Sequence, residues 1–507
     1  MPNLFAFVVI YSYPLVVLAL FLRLDRPRAL IWSIMLGYLF LPEGTGIDLP
    51  LLPPLDKTLI PSLSAAVMCW LVPEHGPLPR RAAAGALGNR RSVYGRSAAR
   101  SLPQRGDRVA LVCIAVLFAA PIATVLTNRD PVIAGPRYIG GLAVYDIFSL
   151  MLNTGVMLLP FLLARRHLTT PAARLALLRA FVVAGLVYSA LILIEVRLSP
   201  QLNKWIYGFY SHSFEQHIRA GGFRPMIFIE HGLRVGIFMA MTVLAAFTLC
   251  QAARAADSTT RIRWRSPGAL WQPGSYLLTA FWLLFALFIS KTVGALAITL
   301  LLIPILLFCS SQIQALLVAG IVGIVLLYPT LRAADLVPVE DVVATAQSVS
   351  AERADSLQYR LDNENILLDR AAAKPMFGWG SWGRNHVFDP ESGRDLSVTD
   401  GTWVIAFGSS GWVGYLALFG LLVLPALTLS WRRGSDGIAI TGLTLMLTAN
   451  LIDLIPNSGL TPLTWMLGGT LLARSAVTGV TASDAVVNDV RPLRVDRGHG
   501  PAVARRR

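Results

Sequence analysis

Apolar residues run along this chain in long blocks, and polar residues collect in the gaps between them. Thirteen blocks reach or approach the roughly 20 mostly apolar residues that a helix needs to cross a bilayer. They lie near 4–22, 29–41, 58–72, 109–127, 142–163, 180–195, 225–250, 275–290, 293–309, 315–330, 403–430, 438–454 and 462–473. The pattern predicts an all-α fold: a polytopic integral membrane helical bundle of about 12–13 transmembrane helices. The first block lacks a basic leader and a small-residue cleavage site, so it reads as an anchor. The organisation that follows is a transmembrane bundle over 1–330, one large loop over 331–402, C-terminal transmembrane helices over 403–476, and a tail over 477–507. That tail, rich in Val, Asp, Gly and Arg without apolar periodicity, reads as disordered.

Composition agrees. Of 507 residues, 55% are hydrophobic and 14% charged, against about a quarter charged in soluble domains. This excludes a soluble enzyme, a disulfide-stapled secreted module and a disordered scaffold. The net charge of +15 is a matter of placement. The stretch 73–108 holds eight Arg against Glu74 and Asp107, which marks it as a cytoplasmic basic loop. Alternation then makes 23–28, 164–179, 251–274, 431–437 and the tail cytoplasmic, with a charge of +20 there against −3 on the opposite side. The basic excess is thus a topology signal and not a nucleic-acid footprint. Cys69, Cys113, Cys250 and Cys309 all fall in apolar segments without metal-ligand spacing and read as small core residues.

Ionisable residues in spanning helices are costly and mark cavities or partners. Here they are Asp146, Glu195, Glu230, His231, Arg234, Lys291 and Asp453. All seven lie toward the external ends of their helices, with Arg234 the deepest at about 15 Å. The clustering implies a polar chamber that opens outward. The bland alternatives are an i,i+4 pair between Glu230 and Arg234 on one helix, and capping or snorkelling by Asp146 and Asp453.

The loop 331–402 begins with Leu357, Leu361, Leu368 and Ala372 at helical spacing, an amphipathic helix over 352–373 able to lie across the membrane mouth. Arg353, Arg360 and Arg370 lie on it, within reach of a phosphate-bearing head group. A solvated face paired with Glu352, Asp362 and Glu364 is the plainer reading, preferred for Arg370. Next comes Met376-Phe-Gly-Trp-Gly-Ser-Trp-Gly-Arg-Asn-His386, where Trp379 and Trp382 could stack on a sugar ring or anchor at the interface. The loop ends in Asp400-Gly-Thr-Trp403, a carboxylate placed to act as a general base or a helix N-cap.

Three stretches carry a family likeness. They are Arg219-Ala-Gly-Gly-Phe-Arg-Pro225, Ile289-Ser-Lys-Thr292, and the long loop with Lys374-Pro-Met-Phe-Gly-Trp-Gly380 before Gly408-Ser-Ser-Gly-Trp-Val-Gly-Tyr415. In this order, over about 200–430, they resemble the O-antigen ligase and polymerase superfamily, the multispanning bacterial proteins that join lipid-linked glycans. Many members have a His-Asn pair just before the helix where this chain has Asp400-Gly401.

The resemblance implies a membrane-embedded glycosyltransferase of the bacterial inner membrane with its active site facing the periplasm. Its donor would be a glycan on undecaprenyl diphosphate, and other polysaccharide-assembly proteins would be its partners. Arginines would stabilise the departing diphosphate without a metal or cofactor. Arg219, Arg224 and Arg360 are the first choices, with Lys291 and Arg234 deeper. Asp400 is the leading candidate for the base, then His386, then Glu230 or His231. The missing His-Asn pair tilts the reading toward a polysaccharide polymerase over a ligase that loads lipid A-core or another acceptor. A flippase or transporter of the lipid-linked glycan would need access from both sides and internal repeats, and a bare membrane scaffold would not need the intramembrane charges.

Overall fold

The computed structural model describes residues 1–48, 53–74, 105–219, 221–259, 272–349, 351–428 and 437–473. Most of the basic stretch 73–108 and all of the tail 477–507 lie outside the described residues.

Each of the thirteen apolar blocks contains a helix. These are α1 (Leu4–Arg23), α2 (Arg26–Phe40), α3 (Leu59–Leu71), α4 (Arg105–Leu126), α5 (Val144–His167), α6 (Pro171–Leu198), α8 (Gly232–Thr259), α9 (Pro273–Ile289), α10 (Val293–Phe308), α11 (Ser311–Ala333), α14 (Thr402–Leu427), α15 (Gly437–Asp453) and α16 (Pro462–Leu472). Between them lie α7 (Leu202–Tyr207), α12 (Val339–Val349) and α13 (Ala351–Ala372). The only strands among the described residues form three short hairpins: β1 (Gly46–Ile47) with β2 (Leu55–Asp56), β3 (Val132–Ala134) with β4 (Arg137–Ile139), and β5 (Ile218–Arg219) with β6 (Gly222–Phe223).

Seven of the described helices are long and apolar enough to cross a membrane: α1, α4, α5, α6, α8, α11 and α14. This is fewer than the 12–13 spans expected, because the other six helices of the apolar blocks, α2, α3, α9, α10, α15 and α16, have at most 17 residues. At 1.5 Å per residue 17 residues rise only about 25 Å, short of a hydrocarbon core of about 30 Å. The architecture is that of a polytopic helical membrane protein.

At one end Arg26 donates to Val72 O (3.1 Å) and Arg165 pairs with Asp107 (2.9 Å). The other end carries the hairpins and the segment 334–401, and cross-loop bonds hold it together. Buried Lys57 donates to Phe228 O (2.7 Å), and Lys374 donates to Thr127 O (2.8 Å). Helix α8 is the hub, packed against α6, α9, α10 and α15, with 89% of its apolar window buried against 28% for α1, α4 and α5. The outer helices therefore present apolar side chains such as Leu15 and Phe148 outward, as a lipid-facing surface requires.

The block 225–250 departs from expectation. Its helix starts at Gly232, and 225–231 is irregular although Met226, Ile227, Phe228 and Ile229 are fully buried. Irregular backbone survives inside a membrane protein only where its polar groups find partners. Here one Glu195 oxygen accepts from the N–H groups of Met226 and Ile227 (both 2.8 Å), and the other accepts from Leu202 (3.0 Å). Glu230 and His231 thus precede the helix and do not stand on it.

Helix α13 also differs. It buries Ala354, Leu361, Asn363, Glu364, Leu367 and Ala371, while Leu357 and Leu368 are half-buried and Ala372 is exposed. The buried face is set by polar partners as well as by leucines, so Glu364 is not on a solvated face.

Candidate functional site

A cavity of about 440 Å³ opens among α4, α5 and α14 at the loop-rich end. Most of its wall is apolar, with Leu117 and Pro121 of α4, Leu150 and Met157 of α5, and Leu418 of α14. Polar side chains share that wall: Arg234, Ser381, Thr402 and Ser458 at the loop side, and Ser409, Ser410 and Asn153 further along α14 and α5. An amphiphile with an apolar chain and an anionic head matches a mainly apolar wall with one cation at its loop side.

Helix α14 is broken where it lines the cavity. Gly411 has φ 62° and ψ −168°, a backbone region open essentially to glycine alone, and a side chain there would strike Met376. The segment 375–380 repairs the break. Trp379 and Gly380 donate to Gly408 O and Ser409 O (both 2.9 Å), while Trp412 and Val413 donate to Pro375 O (2.7 Å) and Met376 O (3.2 Å). The glycine-rich loop is therefore built into the helix as a fixed wall. Buried Arg384 fastens it further, donating to Trp379 O, Gly140 O and Asp130 O at 3.1, 2.6 and 2.8 Å.

Arg234, in the first turn of α8, lines the cavity, donates to Ser458 O (3.2 Å) and pairs with Glu230 (2.6 Å). The Glu230–Arg234 pair expected from sequence exists, although only Arg234 is helical. Arg360 of α13 reaches the same turn, donating to Pro456 O (3.2 Å) and Asn457 Oδ1 (3.1 Å), and pairs with Asp400 at 3.4 Å. The structure thus brings Arg234, Arg360, Glu230 and Asp400 to the 456–458 turn. The side chains of Arg219, Arg353 and Glu352 lie outside the described residues. Arg224 packs over Gly232, and Lys291, in a turn at φ 58°, packs its amine against Gly222.

One turn beyond Arg360, Glu364 is buried between the Trp403 indole N–H (3.4 Å) and Arg332 (3.8 Å). Burial pushes its carboxyl up to about 7, which the Trp403 bond and Arg332 only partly offset and Asp400 reinforces.

The remaining candidates are engaged elsewhere. His386 Nδ1 lies 2.7 Å from Asp395 Oδ2, and its ring stacks on Phe388. The Trp379 ring carries the Arg370 guanidinium at 3.4 Å and Lys374 Nζ at 4.7 Å, so the protein itself occupies this platform and Arg370 is not solvated. Trp382 is 51% exposed at φ 60°, next to the cavity residues Gly380 and Ser381. His231 clusters with His212 and His217, and its Nδ1 accepts from Leu233 N–H (3.0 Å), capping α8. Burial, with His217, His212, Arg224 and Arg360 nearby, pushes His231 down to about 3, which makes it a weak proton acceptor.

Of the seven charges expected in spanning helices, Asp146 caps α5 through Ala143 N–H (2.7 Å) and Glu195 holds the 226–227 turn. Arg234 alone among the seven lines the cavity. Sequence reasoning passed over Asn153, Thr402, Ser409 and Ser410, of which only Ser409 and Ser410 carried a signal, the Gly408-Ser-Ser-Gly411 run. Among the described residues, no group of three or more His, Cys, Asp or Glu is placed to hold a metal ion. Compared with known proteins, the chain matches no family model and no curated sequence.

Proposed function

We propose that the protein is a membrane-embedded polysaccharide polymerase that transfers a glycan from undecaprenyl diphosphate to a sugar hydroxyl at the outer face of the bacterial inner membrane. The observation that carries this reading is the cavity, whose largely apolar wall suits a prenyl chain and whose loop side holds Arg234 for the diphosphate. Charge accumulates on the diphosphate as its bond to the anomeric carbon breaks, and a fixed guanidinium stabilises that charge most where water is scarce. Arg360, tied to the same turn and to Asp400, holds a second cation near the mouth.

The test uses purified protein in nanodiscs with undecaprenyl-diphosphate oligosaccharide, with and without EDTA. A product ladder that persists in EDTA and is lost in Arg234→Ala supports the reading. A single shifted band that needs lipid A-core means a ligase. Passage of the lipid-linked donor across proteoliposomes without transfer means a flippase.

A further inference from the structure

A second cavity, of about 280 Å³, lies beside the first. It sits between α5, α16 and the residues of β2 that lead into α3. Asn153, Met157 and Leu460 belong to the walls of both cavities, so ligands in the two would meet across these three side chains. Among the described residues that line the pair, Arg234 is the one cation and Asp56 the one carboxylate, and they stand in different cavities. An anionic diphosphate is drawn to Arg234 and repelled by Asp56. A neutral sugar escapes that repulsion, and its hydroxyls find acceptors in Asp56 and Thr461.

Asp56 is held in place. Its Oδ1 accepts from the N–H groups of Thr58 (2.8 Å) and Leu59 (3.1 Å) at the start of α3. None of the bases expected from sequence, Asp400, His386, Glu230 or His231, lines either cavity.

We propose that the second cavity seats the hydroxyl-bearing acceptor glycan and that Asp56 is the general base of the transfer. This rests on the glycan-transfer reading and adds the acceptor site and the proton's destination. At the wall that the two cavities share, the acceptor oxygen forms a bond to the anomeric carbon of the donor. The bond from that carbon to the diphosphate oxygen breaks, and its electron pair leaves on the diphosphate beside Arg234. The acceptor proton moves to the Asp56 carboxylate and from there to solvent. Burial raises the Asp56 carboxyl, against the Leu59 and Thr58 N–H bonds that lower it. That brings the base closer to neutral pH, where a general base works best.

The experiment compares Asp56→Asn, Asp56→Ala and Asn153→Leu with the wild type, as full-length chains in nanodiscs. Asn keeps an oxygen to cap α3, so Asp56→Asn separates base chemistry from folding. Binding of undecaprenyl diphosphate and elongation of the lipid-linked oligosaccharide are read on the same samples. We expect Asp56→Asn to lose about 10²–10⁴-fold in elongation rate, with wild-type melting temperature and diphosphate binding within about twofold. Its remaining activity should lack the acid limb of the wild-type pH profile, and Asn153→Leu should raise the acceptor KM. Asp56→Asn that elongates at the wild-type rate overturns the assignment, as does Asp56→Asn that loses diphosphate binding together with elongation. Wild-type protein that binds undecaprenyl diphosphate but transfers no glycan overturns the transfer reading, and this assignment with it.

Discussion

Arg360 and Asp400 form an ion pair at 3.4 Å that ties the loop helix α13 to the residues just before α14. Both side chains are about one-third exposed, at 30% and 35%, so the pair contributes only about 0–1 kcal/mol to stability. Its importance lies in where it holds the guanidinium, beside the 456–458 turn that Arg234 also grips. We predict that Arg360→Ala and Asp400→Asn each melt within a few degrees of the wild type while elongation falls at least tenfold. A double-mutant cycle on elongation rate checks this, and additive effects would show that the pair does not act as a unit.

Arg234→Ala removes the cavity's cation and its bond to Ser458 O. Charge-assisted hydrogen bonds contribute about 1.5–3 kcal/mol each, so undecaprenyl diphosphate should bind roughly ten- to hundredfold more weakly. Arg234→Lys should recover part of the loss, because it keeps the charge without the bidentate fork. Binding of radiolabelled undecaprenyl diphosphate in nanodiscs measures both, and unchanged affinity in Arg234→Ala would place the head group elsewhere.

Glu364 predicts a pH dependence of stability. Its carboxyl titrates at about 7 in the folded protein and near 4.3 in an unfolded chain, so the native state retains the proton longer. Between about pH 4.3 and 7 the unfolded state ionises first, and stability falls as pH rises through that window. Above about 7 the cost is complete, on the order of 4 kcal/mol. Glu364→Gln should flatten the melting temperature against pH from 5 to 8 and melt higher than the wild type at pH 8. An unchanged slope in the variant would mean that another group carries the dependence.

Gly411→Ala should fail to assemble. The φ of 62° with ψ −168° is closed to alanine without strain, and the new methyl would meet the Met376 backbone. Strained backbone of this kind costs on the order of 1–3 kcal/mol, and the clash adds to it. Fluorescence-detected size exclusion of a tagged chain should show loss of the monodisperse peak. A wild-type profile would mean that α14 tolerates a different path there.

Apolar block length made the helices legible, since thirteen blocks correspond to thirteen helices from α1 to α16. Short blocks gave short helices as well, since 58–72 and 462–473 became α3 and α16 of 13 and 11 residues. At the site, Arg234 and Arg360 were legible as costly or exposed cations near one end of the bundle. Glu364 was misread, because at helical spacing it stands among charges that face solvent, and only packing against Trp403 and Arg332 turns it inward.

The sequence by itself determined an all-α membrane protein whose ionisable residues within apolar blocks gather at the end that carries the 334–401 segment. The reason is that burying charge or bare backbone in hydrocarbon is costly at every position, and this registers in each local stretch of chain. Only the tertiary structure decided that 226–229 is buried yet irregular, since the Glu195 and Lys57 side chains that satisfy its backbone come from α6 and from beyond β2. It also decided that 375–380 completes the broken helix α14 and that Asp56 and Arg234 stand in adjoining cavities. Those outcomes depend on partners far apart in the chain, and no local pattern encodes such distances.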